Sequence, residues 1–78
     1  MLPISVIVPV RNAQAMLEAC LDSIVCANPV EIIVVDGNST DRTLEILQRY
    51  PVKVLSDGGR GVPAARMLGL RAARHPVV

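Results

Sequence analysis

Three short apolar runs punctuate the chain: Ile4–Pro9, Val30–Val35 and Val52–Leu55. They are rich in β-branched residues and do not alternate with polar ones, so each reads as a strand covered on both faces. Between the first two, Leu17, Cys20, Leu21 and Ile24 recur at helical spacing, with Asn12 placed to cap the helix start and Asn28-Pro29 to end it. Leu44 and Leu47, with Ile46 beside them, give a second helix its inner face. Ser39 or Thr40 stands at its cap position, Asp41 falls in its first turn, and Pro51 closes it. A glycine-rich loop, Asp57–Gly61, then leads to Pro63, which suits the first turn of a third helix running to about Arg74. His75-Pro76 breaks that helix, and Val77-Val78 reads as the start of a fourth strand. The order is βαβαβαβ, which implies a parallel α/β sheet with right-handed crossovers. A chain ending inside an element is expected to be part of a longer domain.

The residues available for the core follow from composition. Hydrophobic residues make up 51% of the 78, which excludes a disordered chain, yet Tyr50 is the one aromatic. The interior must therefore be Val, Ile, Leu and Ala. A chain of this length buries only about 60% of its unfolded surface, so stability is expected to be modest. The net charge of +1 argues against nucleic acid or an anionic membrane as a partner. No acid follows Asp57, while Arg60, Arg66, Arg71 and Arg74 do; Arg71 and Arg74 suit the negative end of a helix.

Cys20 and Cys26 lie about 600° apart around one helix and cannot pair within it. They read as small core residues of a reducing compartment. His75, the single histidine, reads as a helix-end residue satisfying carbonyls. Met1–Val10 lacks a basic leader and a cleavage site, and Ile4–Val8 is too short to cross a bilayer. The expected location is cytoplasmic; association with the cytoplasmic face of a membrane would reside in sequence outside these residues.

In an open α/β sheet, ligands bind beyond the carboxyl ends of the strands. Three loops occupy that side: Val10–Ala13, Asp36–Thr40 and Ser56–Val62, each leading into a helix N-terminus that favours anions. Asp36, directly after the second strand, has two readings. It can accept hydrogen bonds from a ribose hydroxyl or a base N–H, or it can close a turn on its own backbone.

Ser5-Val6-Ile7-Val8-Pro9-Val10-Arg11-Asn12 resembles the opening block of family 2 glycosyltransferases. Glu31 through Asp41 (EIIVVDGNSTD) resembles that family's second block, and Gly59-Arg60-Gly61, Ala64-Ala65-Arg66 and Leu68-Gly69-Leu70 are similar to its third. Three blocks in order, covering nearly the whole chain, are specific for the family and silent on the substrate. The resemblance implies a GT-A fold, Rossmann-like, of which residues 1–78 would be the N-terminal nucleotide-binding part. It implies a nucleotide-diphosphate-sugar donor, an acceptor hydroxyl on a glycan or lipid-linked glycan, and transfer with inversion. By the same resemblance, Pro9, Arg11 and Asn12 cradle base and ribose, Asp36 lies near them, and Arg66 lies near the phosphates. Arg11 stands where tyrosine is commoner, Gly37 replaces a frequent second acid, and Met67 replaces an asparagine.

The Mg²⁺ or Mn²⁺ site and the general base are expected beyond Val78, so residues 1–78 alone are expected to be inactive. A noncatalytic nucleotide-binding or interaction module is the alternative. Gly59-Arg60-Gly61-Val62-Pro63-Ala64 also fits a dinucleotide pattern, and the same glycines superficially resemble a nucleotidyltransferase loop, but both of those belong after a first strand.

Overall fold

The computed structural model describes residues 1–77. Its elements are β1 (Leu2–Val10), α1 (Gln14–Ala27), β2 (Pro29–Asp36), α2 (Thr43–Leu47), β3 (Lys53–Ser56) and α3 (Val62–Ala72). The strands form one parallel sheet in the order β1-β2-β3. Val10 pairs with Asp36 and Asp36 with Ser56, so all three strands end at one level.

The expected double-sided burial is present. On β2, Ile32 and Val34 face Leu17, Leu21, Ile46 and Leu47 of α1 and α2. Ile33 and Val35 face the other way, against Ala65 and Leu68 of α3. Burying each of these Ile or Val side chains contributes about 1.5–3 kcal/mol, which makes β2 the spine of the fold. After α3 the chain returns to the far side of β1. Ser5 N–H donates to Pro76 O at 2.8 Å, and Ser5 bridges Val77 in parallel. Sheet growth thus reverses at β1, and with right-handed crossovers a reversal moves the connecting helix to the opposite face. Val77 stands where the fourth strand is expected to begin; Val78 lies outside the described residues.

This return is pinned at the lower end of the sheet. The fully buried Ser5 hydroxyl donates to Glu31 Oε1 at 2.7 Å, and Arg74 N–H donates to the same oxygen at 3.2 Å. These bonds, Ser5 first, hold the Glu31 carboxyl below its ordinary range.

Several expectations are corrected. Cys20 and Cys26 are exposed, not core. The buried stripe of α1 is Leu17 and Leu21 with Ile24, and Cys20 falls about 60° to one side of Leu17. On α2 the inner residues are Thr43, Ile46 and Leu47, while Leu44 is 43% exposed. A helix of five residues has room for a single i, i+3, i+4 set, and Thr43 occupies its first place. Third, α3 ends at Ala72 rather than about Arg74, with Ala73 N–H bonded to Gly69 O. His75 stands beyond that cap and makes no side-chain hydrogen bond among the described residues.

Candidate functional site

The three strand-end loops meet, but not through the caps the sequence suggests. Asn12 does not cap α1; it adopts a left-handed backbone at φ 47° and stitches two loops together. Its N–H donates to Ser39 Oγ at 2.9 Å, and its Oδ1 accepts Thr40 N–H at 2.7 Å. Ser39 and Thr40 likewise do not cap α2. The exposed N–H groups at the start of α1 are satisfied from the other loop: Ala13 N–H donates to Thr43 Oγ1 at 3.0 Å and Gln14 N–H to Asp41 Oδ2 at 3.2 Å. In return, Gln14 Oε1 accepts Arg42 N–H at 3.1 Å. Two helix starts therefore cap each other side by side on one face of the sheet, serving the need that a local cap usually meets. The Thr43 hydroxyl, foremost among its partners, holds the Asp41 carboxyl below the ordinary aspartate range.

Asp36 is drawn into the same network. It is 4% exposed, and its carboxylate accepts both the N–H and the hydroxyl of Ser39. Its side chain closes a turn, the second of its two sequence readings, and does not line the cleft beside it.

That cleft, of about 240 Å³, opens at the strand ends. Pro9, Val10 and Arg11 form the β1 side, Val35 and Gly37 the β2 side, and Asp57, Gly59, Gly61 and Ala65 the third. Gly58, Gly59 and Gly61 have φ of 67°, 80° and 98°, a region that L side chains rarely adopt, which explains the run of glycines. Among the described residues no side chain caps α3, so its N-terminus is available to a ligand. Asp57 is 3% exposed, and its Oδ1 accepts Gly59 N–H at 2.6 Å. The sequence reading passed over Asp57, although it follows β3 much as Asp36 ends β2.

Of the expected site residues, Pro9 and Arg11 line the cleft, with Asn12 fixing the loop behind them. Arg66 is not among them. It borders a separate groove of about 230 Å³ with Ile7, Leu70 and Val77, beside the returning chain. The larger hollow of about 580 Å³ lies between α1 and α2 and is lined by helix residues from Gln14 and Arg42 onward, not by the strands themselves. Its charges are already paired, Arg42 with Glu45 at 2.9 Å and Arg49 with Glu18 at 2.6 Å, so it offers few unmet polar groups. The strand-end cleft is therefore the better candidate.

Comparison with known proteins gives this geometry its context. Residues 5–78 match the model of glycosyl transferase family 2. The chain belongs to that family. A glycosyltransferase segment of this kind is 34% identical over 78 residues to the uncharacterized glycosyltransferase EpsJ of Bacillus subtilis, covering 91% of this chain and 23% of that protein. It is 37% identical over 73 residues to the poly(ribitol-phosphate) beta-glucosyltransferase of Bacillus spizizenii, covering 77% and 12%. The crystal structure of S. aureus TarS 1-349 superposes with a TM-score of 0.77 at 31% identity, covering 95% of this chain and 25% of that one. The expected parallel α/β fold of a GT-A glycosyltransferase is thus met. The chain spans less than a quarter of the length of these two relatives.

Among the described residues, no three His, Cys, Asp or Glu side chains converge to hold a metal ion. Among the same residues, no helix is long and apolar enough to cross a membrane.

Proposed function

We propose that residues 1–78 are the N-terminal, donor-nucleotide-binding part of a single glycosyltransferase domain. The longer protein would transfer a sugar from a nucleotide diphosphate to an acceptor hydroxyl of a glycan or lipid-linked glycan, with inversion. The observation that carries this is the cleft at the strand ends, placed where sheet growth reverses and bordered by a glycine loop and an uncapped helix start.

In this reading the apolar walls, Pro9, Val35 and Ala65, take the base, and the Arg11 guanidinium stacks on it or closes over it. Asn12 keeps Arg11 in place through its two bonds to the neighbouring loop. Arg66, outside the cleft, offers a positive charge to phosphates leaving it towards the β1 edge. Mg²⁺ or Mn²⁺ would neutralise the departing diphosphate in the longer protein. The described residues do not form a site for it.

Calorimetric titration of the chain with UDP and GDP, with and without Mn²⁺, tests the reading. Binding of at least one nucleotide without a metal requirement, and no sugar transfer by residues 1–78 alone, is the expected result. Failure to bind either nucleotide would favour an interaction module instead.

A further inference from the structure

The Asp57 carboxylate has more capacity than the protein uses. It is 3% exposed as a residue, yet no described side-chain oxygen is both buried and unpartnered, so its unbonded Oδ2 keeps contact with solvent at the cleft. Gly59 N–H satisfies Oδ1, but among the described residues no donor reaches Oδ2 and no basic side chain forms an ion pair with Asp57. The group belongs to a cleft that Pro9, Val35 and Ala65 make apolar on three sides and Arg11 makes cationic on the β1 side. Phosphate is an unsuitable neighbour for it because the two charges repel. What fits is a flat, mostly apolar group that brings an N–H.

We propose that Asp57 selects the base of the donor nucleotide, accepting a ring N–H such as that of uracil or guanine and disfavouring cytosine and adenine, whose corresponding ring nitrogen carries a lone pair. This rests on the reading of the cleft as a nucleotide site and adds the property that sets its specificity. Gly37 contributes by being bare. A Cβ at that position would lie 3.7 Å from Asp57 Oδ1 and 3.5 Å from Arg11 Cβ, so the missing side chain leaves open the space in front of the carboxylate. Those distances are ordinary contacts, and Gly37 has no positive φ, so an acid at 37 would reach the same space without backbone strain.

UDP and CDP share ribose and diphosphate and differ at this ring edge, so their affinity ratio isolates the base. The intact chain is expected to favour UDP over CDP roughly ten- to hundredfold, the range of a hydrogen bond to a charged group. Asp57→Asn keeps an acceptor for Gly59 N–H and is expected to bring the ratio close to one; adding Gly37→Asp to Asp57→Asn is expected to restore it. A ratio near one in the intact chain overturns the proposal while leaving the nucleotide site standing. Equal weakening of both ligands by Asp57→Asn also overturns it, by assigning Asp57 to the ribose or to loop structure. Binding of neither ligand by the intact chain removes the nucleotide reading and this proposal together.

Discussion

Gly69→Val is expected to lower the melting temperature by about 10 °C or more, a loss on the order of 3 kcal/mol. Gly69 is buried where α3 crosses β1, and a Cβ there would lie 2.5 Å from Ile7 Cγ2, 2.9 Å from Cδ1 and 3.0 Å from Cγ1. Ile7 cannot swing aside easily, because its branch point at Cβ restricts χ1. Helix propensity alone argues the other way: Gly→Ala in a helix interior gains about 1 kcal/mol. Gly69→Ala therefore sets the two effects against each other, and at 2.5 Å the contact is expected to win, leaving the variant less stable than the parent. For a chain whose total stability is of order 4–12 kcal/mol, the valine variant would lose a large share. Thermal unfolding followed by circular dichroism measures both. Relief of the defect by Ile7→Ala in the same chain would show that the contact, not the helix, is responsible.

Asp36→Ala is expected to cost about 1–3 kcal/mol of stability and to weaken UDP binding roughly tenfold, with the UDP-to-CDP ratio unchanged. The reason is the route by which Asp36 reaches the cleft. Its carboxylate holds Ser39, Ser39 Oγ holds Asn12 N–H, and Arg11 beside it lines the cleft. Asp36 is thus a positioning residue. Ser39→Ala breaks the same route one step later, so the double variant is expected to be little worse than Asp36→Ala alone. A changed ratio in Asp36→Ala would mean that its carboxylate meets the base directly. Additive losses would mean that the two residues act separately.

These cases show which parts of the structure the sequence could disclose. β2 was legible because Ile32–Val35 is continuously apolar, the mark of a strand buried on both faces. The order of elements followed from the spacing of such runs. The caps were not legible, because their partners lie 27 to 30 residues apart in sequence, as between Gln14 and Asp41 or Ala13 and Thr43. A Ser-Thr-Asp run before a helix looks like a local cap, but only Asp41 acts as one, accepting Thr43 N–H through Oδ1 while its Oδ2 accepts Gln14 N–H of the neighbouring helix. Thr43 was not among the residues expected in the core, yet the Ala13 and Asp41 bonds satisfy its hydroxyl in full burial.

The candidate site was half legible for a similar reason. Position after a strand identifies the loops that meet, but it does not say which way a carboxylate turns. Asp36 turns onto Ser39, and Asp57 faces the cleft.

The most direct test of the central claim is a UDP titration of the isotopically labelled chain, followed by the amide resonances of each residue. Shifts confined to Arg11, Gly37, Asp57, Gly59 and Gly61, with Gln14, Arg42, Glu45 and Arg49 unmoved, are the expected result. Shifts centred on the α1–α2 hollow, or none at saturating nucleotide, would contradict a donor-nucleotide site at the strand ends.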